Sequence, residues 1–335
     1  MSISTDPLDR RLAVAPMMDW TDRHCRFLHR LIAPSTLLYT EMVTTGAVLR
    51  GDPLRHLEHD PAEHPLALQL GGSEPDDLAR AARLAVTSFR FDEINLNCGC
   101  PSERVQKGAF GACLMREPLL VARCVAAIRA AVAQPVTVKC RIGVDDSEDW
   151  PFFLSFIETV AEAGCRVFIV HARKAWLKGL SPKENREIPP LRHDLVGRLK
   201  RERPDLTIVL NGGLRDPGAA AAVMAWADGV MIGREAYSNP WSLRAFEATI
   251  LGSTGARTRD AVLAAYLEYV ERQRRRGVPL PTLIKPLLGL FNGVPGARRF
   301  RQILSEDARR PDAGPELILT AARAIGTAPG RLRGP

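Results

Sequence analysis

Polar and glycine residues stand at the ends of the short apolar segments in the first 240 residues. Lys139 and His171 end two of these segments, and Asn211-Gly-Gly213 and Gly233-Arg234 end two others. Lysine and arginine bind phosphates, histidine donates to a carbonyl or a phosphate, and glycine lets backbone N–H groups approach a ligand closely. Because almost every such segment ends this way, core packing is a poor explanation, and the pattern predicts one binding site.

Gln69 and Cys100 add groups suited to a flat heterocycle. The amide of Gln69 offers a donor and an acceptor to the edge of such a ring. The thiol of a cysteine has an ordinary pKa of ~8.5, so near neutral pH it holds the proton that a general acid must supply. Cys100 lies between Gly99 and Pro101 in a turn. Such a turn is a poor position for a core residue, which favours a chemical role.

The other cysteines have simpler interpretations. Cys98 is the alternative proton donor, since it lies two residues before Cys100. A metal site at this pair is disfavoured and none is predicted, because no further paired ligands accompany it. Most cysteines are small apolar core residues, and we predict that role for Cys113, Cys124, Cys140 and Cys165.

Alternating strands and helices must position these residues. The predicted strands are 12–16, 37–40, 66–70, 93–96, 136–139, 167–170, 207–210 and 229–232, and helical segments between them include 76–86, 118–132, 150–163, 195–203 and 217–225. Short apolar strands with helical returns predict an α/β fold, a closed parallel (β/α)8 TIM barrel whose chemistry lies at the strand ends. A doubly wound open sheet is the alternative, but Ala15-Pro-Met-Met-Asp19 is not the glycine loop that such a fold usually carries.

The last quarter of the chain shows no strand pattern. Thr258 is a candidate N-cap for a helix that runs to about Arg276, where Gly277 and Pro279 end it. Further helices are predicted at 281–291, 297–308 and 315–325, which together indicate a four-helix bundle. The turn-rich segment 251–257 places the boundary between a barrel domain, residues 1–250, and a helical domain, residues 251–335.

The positive charge is concentrated in that helical segment. The net charge is +8, and residues 245–335 hold 15 Lys and Arg against 8 Asp and Glu, whereas residues 1–244 hold 31 against 30. A merely solvated arginine-rich face would explain this surplus. The alternative is a module that docks a polyanion.

Composition restricts the class of protein. The chain has 335 residues, of which 46% are hydrophobic and 25% charged, as expected for a globular protein with a real core. No apolar stretch approaches the ~18 residues of a membrane helix, and the first residues do not resemble a secretory signal. The seven scattered cysteines do not indicate a disulfide scaffold. We therefore expect a cytoplasmic protein without membrane contact.

Several motifs resemble those of the tRNA-dihydrouridine synthases. They are Ala15-Pro-Met17, Glu93-Ile-Asn-Leu-Asn97 followed by Gly99-Cys-Pro-Ser102, Val136-Thr-Val-Lys139, Ile169-Val-His-Ala-Arg173, Asn211-Gly-Gly213 and Gly233-Arg234. Three others are similar to the bacterial 20/20a subfamily: Leu38-Tyr-Thr-Glu-Met-Val-Thr-Thr-Gly46, Gly111-Ala-Cys-Leu-Met115, and Lys174-Ala-Trp176 with Ser181-Pro-Lys-Glu-Asn-Arg-Glu-Ile-Pro-Pro190. The resemblance spans roughly residues 11–325.

This resemblance implies an FMN-binding barrel that reduces uridines of the tRNA D loop, expected at positions 20 and 20a. Cys100 would be the proton donor. FMN would be bound by Pro16, Met17, Met18, Gln69, Lys139, His171, Asn211, Gly212, Gly213, Gly233 and Arg234. The tRNA would be contacted by Asn97, Lys183, Arg186, Arg299 and Gln302. The sequence departs from the family pattern at Cys98, where an apolar residue is expected.

The implied reaction has two half-reactions at the open barrel mouth. NADPH reduces FMN, and we expect it to bind transiently because no G-x-G-x-x-G loop follows a strand. The target uridine must leave its stacked setting before the flavin delivers hydride to one carbon of the 5,6 double bond and Cys100 protonates the other. Two alternatives stay open: an FMN-dependent barrel enzyme for a free pyrimidine, and a tRNA-binding protein without catalysis. No obligate protein partner is evident.

Overall fold

Eight short strands alternate with helices along the first 240 residues. In this computed structural model, which describes residues 8–253 and 257–325, neighbouring strands pair in parallel in the order β1-β8-β7-β6-β5-β4-β3-β2. The strands are β1 (Leu12–Val14), β2 (Leu38–Thr44), β3 (Leu66–Gly71), β4 (Glu93–Cys98), β5 (Val136–Arg141), β6 (Val167–His171), β7 (Thr207–Asn211) and β8 (Gly229–Ile232).

The first and second strands bring the two edges of this sheet together. Ala13 in β1 forms a parallel bridge to Leu37, the residue before β2. The N–H of Val14 donates to the carbonyl of Leu37 (2.9 Å), and the N–H of Leu37 donates to the carbonyl of Leu12 (3.1 Å). The parallel barrel predicted from the sequence is therefore confirmed, and the open sheet is wrong.

The helices surround the barrel and continue beyond it. Most strand-to-strand connections contain a helix of 7 to 15 residues. The helices are α1 (Arg23–Ile32), α2 (Thr45–Arg50), α3 (Pro53–Leu57), α4 (Pro75–Phe89), α5 (Glu103–Lys107), α6 (Pro118–Ala131), α7 (Asp149–Glu162), α8 (His193–Glu202), α9 (Pro217–Val223), α10 (Arg234–Ser238), α11 (Ser242–Leu251), α12 (Arg259–Arg275), α13 (Leu280–Ile284), α14 (Ala297–Asp307) and α15 (Glu316–Ala322). None of these described helices is long and apolar enough to cross a bilayer.

Strand alternation separates two layers of side chains. In β4, Ile94, Leu96 and Cys98 join the large core between the strands and the helices. Successive side chains of a strand point to opposite faces, so Glu93 and Asn95 face the barrel interior. The apolar residues of that interior form a separate, smaller cluster that includes Ala13, Tyr39, Ile169 and Met231. Polar side chains fill the space that this small cluster leaves.

The described C-terminal residues, 257–325, contain no strand. The side chain of Thr258 accepts a hydrogen bond from the N–H of Ala261 and caps α12, as predicted. The single helix predicted for 281–291 is wrong, since α13 ends at Ile284 and a 3₁₀ helix follows over Lys285–Gly289. Pro286 lacks the N–H that would continue the α-helical hydrogen bonds beyond Ile284, which explains the change. The predicted boundary segment includes residues 254–256, which lie outside the described residues.

Aromatic side chains join these helices to the barrel. Phe27 in α1 stacks on Tyr269 in α12 with ring centroids 4.0 Å apart. Nδ1 of His24 lies 2.7 Å from the hydroxyl of Tyr269. The hydroxyl of Tyr266 donates to the carbonyl of Leu283 at 2.8 Å. The large apolar core is therefore continuous from the barrel into the helical segment.

Candidate active site

The carboxyl ends of the strands bring the predicted residues to one mouth of the barrel. Asn97 pairs with Lys139 across β4 and β5, and Arg141 pairs with His171 across β5 and β6. His171 in turn pairs with Asn211 across β6 and β7. Parallel register places these side chains at neighbouring heights, so the ring expected from the sequence exists in three dimensions.

Lys139 lies in this mouth, and its pKa is lowered. Its Nζ donates to Oδ1 of Asn211 at 3.0 Å. Burial, reinforced by the positive charge of Arg141, lowers the pKa of Lys139 to about 8. The amide Nδ2 of Asn211 donates to the carbonyl of Met231 in β8 at 2.8 Å, which fixes the acceptor side of that amide toward Lys139. A bound anion would favour the charged form of this lysine.

His171 is surrounded by cationic groups. Burial is the main cause that holds the pKa of His171 well below its usual value, and the positive charges around it act in the same direction. Those charges belong to Arg141, Lys139, Arg173 and Arg186. The ring is therefore neutral near pH 7, and it can donate from one nitrogen and accept at the other.

Two glycines after β7 leave room above His171. Gly212 and Gly213 have φ values of +114° and +77°, which L side chains rarely adopt. A Cβ on Gly212 would lie 2.8 Å from Cδ2 of His171, and a Cβ on Gly213 would lie 2.5 Å from the side chain of Leu191. Gly213 is exposed and Gly212 is buried, and both lie at the position where such barrels bind a phosphate.

Arginines line the same side of the mouth. Nη1 of Arg234, at the start of α10 after Gly233, pairs with Glu187 at 2.6 Å. The positive charge of Arg234 lowers the pKa values of both Arg173 and Arg186, although burial is the larger cause for each. In the described part of the chain, the Nε atoms of Arg173 and Arg186 are buried without a hydrogen-bond partner. Such orphaned donors fit an anionic ligand such as the FMN phosphate.

Cys100 follows β4 on a turn that Asn97 holds. Oδ1 of Asn97 accepts hydrogen bonds from the N–H groups of Gly99 and Cys100, both at 3.0 Å. The carbonyl of Cys100 accepts from the N–H of Ala112 at 2.9 Å. The thiol residue is partly exposed. Cys100 is also close enough to Lys139, Arg141 and Arg186 to act on their pKa values.

Cys98 is buried on the opposite face of β4. Its side chain belongs to the core between strands and helices and is 0% exposed. Burial raises the pKa of this thiol well above its ordinary value. Cys98 therefore fills the place of an apolar residue and does not reach the mouth.

The first barrel loop contributes an apolar edge. The N–H of Met17 donates to Oγ1 of Thr21 at 2.9 Å, and Met17 packs against the interior cluster. Pro16 precedes it and is half-buried, while Met18 is 53% exposed. This edge is suited to the flat, apolar side of a ring.

Comparison with known proteins assigns this arrangement to a family. The family model described as "Dihydrouridine synthase (Dus)" matches residues 13–325. The chain belongs to the dihydrouridine synthase family. The family expected from the sequence motifs is thereby confirmed.

Curated relatives match along nearly the whole chain. A tRNA-dihydrouridine(20/20a) synthase of Xanthomonas axonopodis pv. citri is 58% identical over 320 residues, which cover 95% of each chain. The Vibrio cholerae protein of that name is 54% identical over 319 residues, which cover 94% of this chain and 96% of the relative. Among solved structures, an old yellow enzyme homologue from Zymomonas mobilis has a TM-score of 0.52 at 13% identity and covers 70% of this chain and 88% of its own. That likeness concerns the barrel fold alone.

In this dihydrouridine synthase, two further surfaces carry the residues expected to contact tRNA. Lys183 is exposed and Arg186 half-buried in the loop between β6 and α8. Arg299 and Gln302 are exposed on α14, and Nη1 of Arg299 donates to Oε1 of Gln302 at 3.0 Å. The 3₁₀ helix before α14 lies against the mouth, because Nζ of Lys285 donates to the carbonyl of Asp19 in the first barrel loop.

The sequence analysis did not identify Arg141 and Asn185, which join the turn after β4 to the loop after β6. Buried Arg141 donates from Nε to the carbonyl of Gly99 (3.0 Å) and from Nη1 to the carbonyl of Asn185 (2.8 Å). Nδ2 of Asn185 donates to the carbonyl of Trp176 at 2.9 Å, and Oδ1 accepts from its N–H at 2.7 Å. Arg141 therefore connects the turn of Cys100 to the loop that carries Lys183. Its position two residues after Lys139, on the same strand face, was the available signal.

A cleft opens beside the cysteine turn. It has a volume of about 580 Å³ and is lined by Pro101, Gln106 and residues 177–182 among others. Nε2 of Gln106 donates to the carbonyls of Pro101 (2.8 Å) and Leu177 (2.7 Å), which ties the two walls together. The cleft therefore lies beside Pro101, the residue after Cys100.

Proposed function

We propose that this protein reduces uridines of the tRNA D loop to dihydrouridine, with FMN as its resident cofactor and NADPH as the reductant. The observation that carries the proposal is the half-exposed Cys100 on a turn fixed beside a cationic barrel mouth. Family membership and the names of the close relatives support the same reaction. Those names also favour positions 20 and 20a as the targets.

The residues of the mouth fit FMN. The positive-φ backbone of Gly212 and Gly213 and the orphaned Nε atoms of Arg173 and Arg186 suit a phosphate. Residues proposed to bind FMN are Pro16, Met17, Met18, Gln69, Lys139, His171, Asn211, Gly212, Gly213, Gly233 and Arg234. When bound, FMN would supply the hydride for one carbon of the uracil 5,6 double bond, and NADPH would replenish it.

Cys100 would supply the proton for the other carbon. Its thiol is partly exposed, whereas Cys25, Cys98, Cys124, Cys140 and Cys165 are buried. Asn97 would hold the turn so that the thiol proton faces the bound base, and Lys139 would compensate negative charge on the reduced ring. Proton transfer from a positioned thiol therefore completes the saturation of the double bond.

The helical segment would bind the tRNA body. Arg299 and Gln302 on α14, Lys183 and Arg186 on the barrel loop, and Asn97 are the proposed contacts. The exposed arginines of α14 support this arrangement, because phosphate neutralisation supplies much of the affinity for nucleic acids. We further propose that residues 1–250 and 251–335 act as barrel and tRNA-binding domains, with the C-terminal helices as a four-helix bundle. The reaction would occur in the cytoplasm.

Mapping of dihydrouridine by mass spectrometry tests the function. The purified protein should contain FMN, oxidise NADPH, and convert uridines 20 and 20a in tRNA transcribed without modification. Cells that lack the protein should lose dihydrouridine at those positions and regain it on complementation. A colourless protein that cannot take up FMN, or tRNA that stays unmodified in the reconstituted reaction, would contradict the proposal.

A further inference from the structure

Five buried polar side chains form a row inside the barrel, and the proposed function gives three of them, Glu93, Asn95 and Thr137, no role. They are Gln69 (1% exposed), Glu93 (0%), Asn95 (0%), Asn97 (8%) and Thr137 (0%). Gln69 pairs with Asn95 in the register of β3 and β4, and Asn95 pairs with Thr137 in the register of β4 and β5. Consecutive members of the row are joined by hydrogen bonds of 2.7 to 2.8 Å.

Glu93 sets the direction of the first bonds. Its carboxylate pairs with Arg10, whose Nε donates to Oε2 at 2.8 Å. Oε1 accepts from the hydroxyl of Tyr39 and from Oγ1 of Thr137, the latter at 2.7 Å. A carboxylate accepts only, so Thr137 must give it the single proton of its hydroxyl. Oγ1 of Thr137 must therefore accept from Nδ2 of Asn95, at 2.8 Å.

The directions of the remaining hydrogen bonds follow in the same way, through three amide side chains to the turn of Cys100. Because Nδ2 of Asn95 donates to Thr137, the other end of that amide, Oδ1, faces Gln69 and accepts from its Nε2 at 2.7 Å. Oε1 of Gln69 then accepts from Nδ2 of Asn97 at 2.7 Å. That leaves Oδ1 of Asn97 for the N–H groups of Gly99 and Cys100. A flip of any one amide would set donor against donor or acceptor against acceptor.

We propose that Glu93 is a positioning residue whose carboxylate, through Thr137 and the three amides, orients Gln69 and holds the Cys100 turn. The proposal rests on the proposed function where it assigns proton transfer to Cys100. Its structural part concerns the turn alone and stands without that assignment. Buried polar side chains destabilise the folded state unless all of their donors and acceptors are hydrogen-bonded. In this row, the direction of every hydrogen bond depends on the carboxylate of Glu93 at its end.

The substitution Thr137→Val interrupts the row without removing the partner of Arg10. The loss of Oγ1 frees Asn95 to flip, and the flip can pass to Asn97. We expect the kcat for uridine reduction to fall about tenfold with little change in the KM for tRNA, since small misplacements of reacting groups cost rate. Thr137→Ser keeps the hydroxyl and should restore the rate.

The second readout needs neither tRNA nor turnover. Cys100 and Cys113 are both partly exposed, so alkylation by iodoacetamide followed by peptide mass mapping gives the ratio of their rates. In Thr137→Val, the Cys100/Cys113 ratio should change several-fold, because Asn97 anchors the turn of Cys100 directly, whereas the thiol of Cys113 donates to the carbonyl of Phe110. Thr137→Ser should show the wild-type ratio.

Thr36→Val is the matched control. Thr36 is equally buried, and its Oγ1 donates to Oε1 of Glu247 at 3.2 Å, outside the barrel interior. This variant loses a buried threonine–glutamate hydrogen bond but should keep the wild-type kcat and alkylation ratio. A Thr36→Val enzyme that is impaired in both readouts like Thr137→Val would reduce the effect to general destabilisation and overturn the proposal.

Two further outcomes decide the matter. A folded Thr137→Val protein with wild-type kcat and alkylation ratio would overturn the proposal, whereas a wild-type protein that produces no dihydrouridine would overturn the proposed function alone. If Thr137→Val fails to fold, hydrogen–deuterium exchange of the wild type serves instead. The amides of Gly99 and Cys100 should exchange as slowly as strand amides. Exchange as fast as at exposed Gly179 would overturn the proposal.

Discussion

Cys98 and Cys100 differ in accessibility although they are two residues apart. Cys98 is the last residue of β4, so strand alternation directs its side chain with Leu96 into the layer under the helices. Cys100 lies beyond the strand, where the amide of Asn97 shapes the turn. The thiol of Cys98 is therefore part of the core, whereas that of Cys100 is accessible.

The substitution Cys100→Ala should abolish or strongly slow uridine reduction. Loss of a general acid typically costs ~10²–10⁴-fold in rate. FMN content and NADPH oxidation should stay normal, because neither requires the thiol. Single-turnover formation of dihydrouridine in tRNA measures the effect.

Two cysteine variants serve as controls for that experiment. Cys98→Ala removes a buried sulfur atom, so it should lower the stability of the protein but leave the rate of uridine reduction unchanged. Cys113→Ala should change neither the stability nor this rate strongly. A Cys100→Ala enzyme of near-normal activity beside an inactive Cys98→Ala enzyme would assign proton donation to Cys98.

Lys139 should make FMN binding depend on pH. The pKa of this lysine is about 8 in the free protein, and a bound anion would raise it. Affinity should therefore be constant below pH 8 and fall above it, by up to tenfold per pH unit, as the free lysine loses its proton. Flavin titration from pH 6.5 to 9 measures this, and Lys139→Met should flatten the profile. A flat profile in the wild type would be inconsistent with a role for this charge.

At the scale of elements, the loops after β7 and β8 form the side of the mouth that we propose binds the phosphate. Gly213 is exposed there beside the buried Gly212, and α10 begins with Arg234. Glu187, from the loop after β6, pairs with Arg234 and so sets the orientation of the guanidinium toward the mouth. Three consecutive connections therefore build one site.

Arg234→Ala should weaken FMN binding. A charge-assisted hydrogen bond contributes roughly 1.5–3 kcal/mol, which corresponds to about a 10- to 150-fold loss of affinity. The matched control is Arg198→Ala on α8, where Arg198 pairs with Glu202 at 2.7 Å on the outer surface. Flavin titration of both variants is the measurement. Equal affinities in the two would remove Arg234 from the site.

At the scale of the whole molecule, the helical segment presents a basic face on α14. Phe300 and Leu304 of α14 are buried, whereas Arg298 and Arg299 are exposed and Arg301 is half-buried. The arginines of α14 therefore lie away from its apolar face. The aromatic contacts of α12 with α1 hold the segment against the barrel.

A triple Arg298, Arg299 and Arg301 to Ala variant should bind tRNA more weakly and with a smaller salt dependence. Removing one arginine–phosphate contact reduces the slope of log affinity against log salt by about one unit. NADPH oxidation should be unaffected, because that step needs the barrel alone. The measurement is tRNA affinity between low and physiological salt.

A second triple variant controls for the change in net charge. It replaces exposed arginines of the barrel helices α4 and α6, namely Arg83, Arg123 and Arg129. This variant should keep the wild-type salt slope. An unchanged slope in the α14 variant would mean that the basic surplus is a solvated face and that tRNA docks elsewhere.

Apolar periodicity and strand-end residue types determined the barrel, its order and most of its mouth. These are local properties, since the alternation along β4 or β5 follows from backbone geometry and burial alone. Motifs such as Asn211-Gly-Gly213 likewise identified the family without coordinates.

Tertiary structure alone decided which long-range partners meet. The links from Glu93 through Thr137 to Gln69 join three strands. Arg141 joins Gly99, 42 residues before it, to Asn185, 44 residues after it. No local pattern encodes such pairs, because hydrogen-bond partners depend on the register between strands rather than on neighbours in sequence. The structure likewise shows Cys98 in the core and Cys100 partly exposed on the turn after β4.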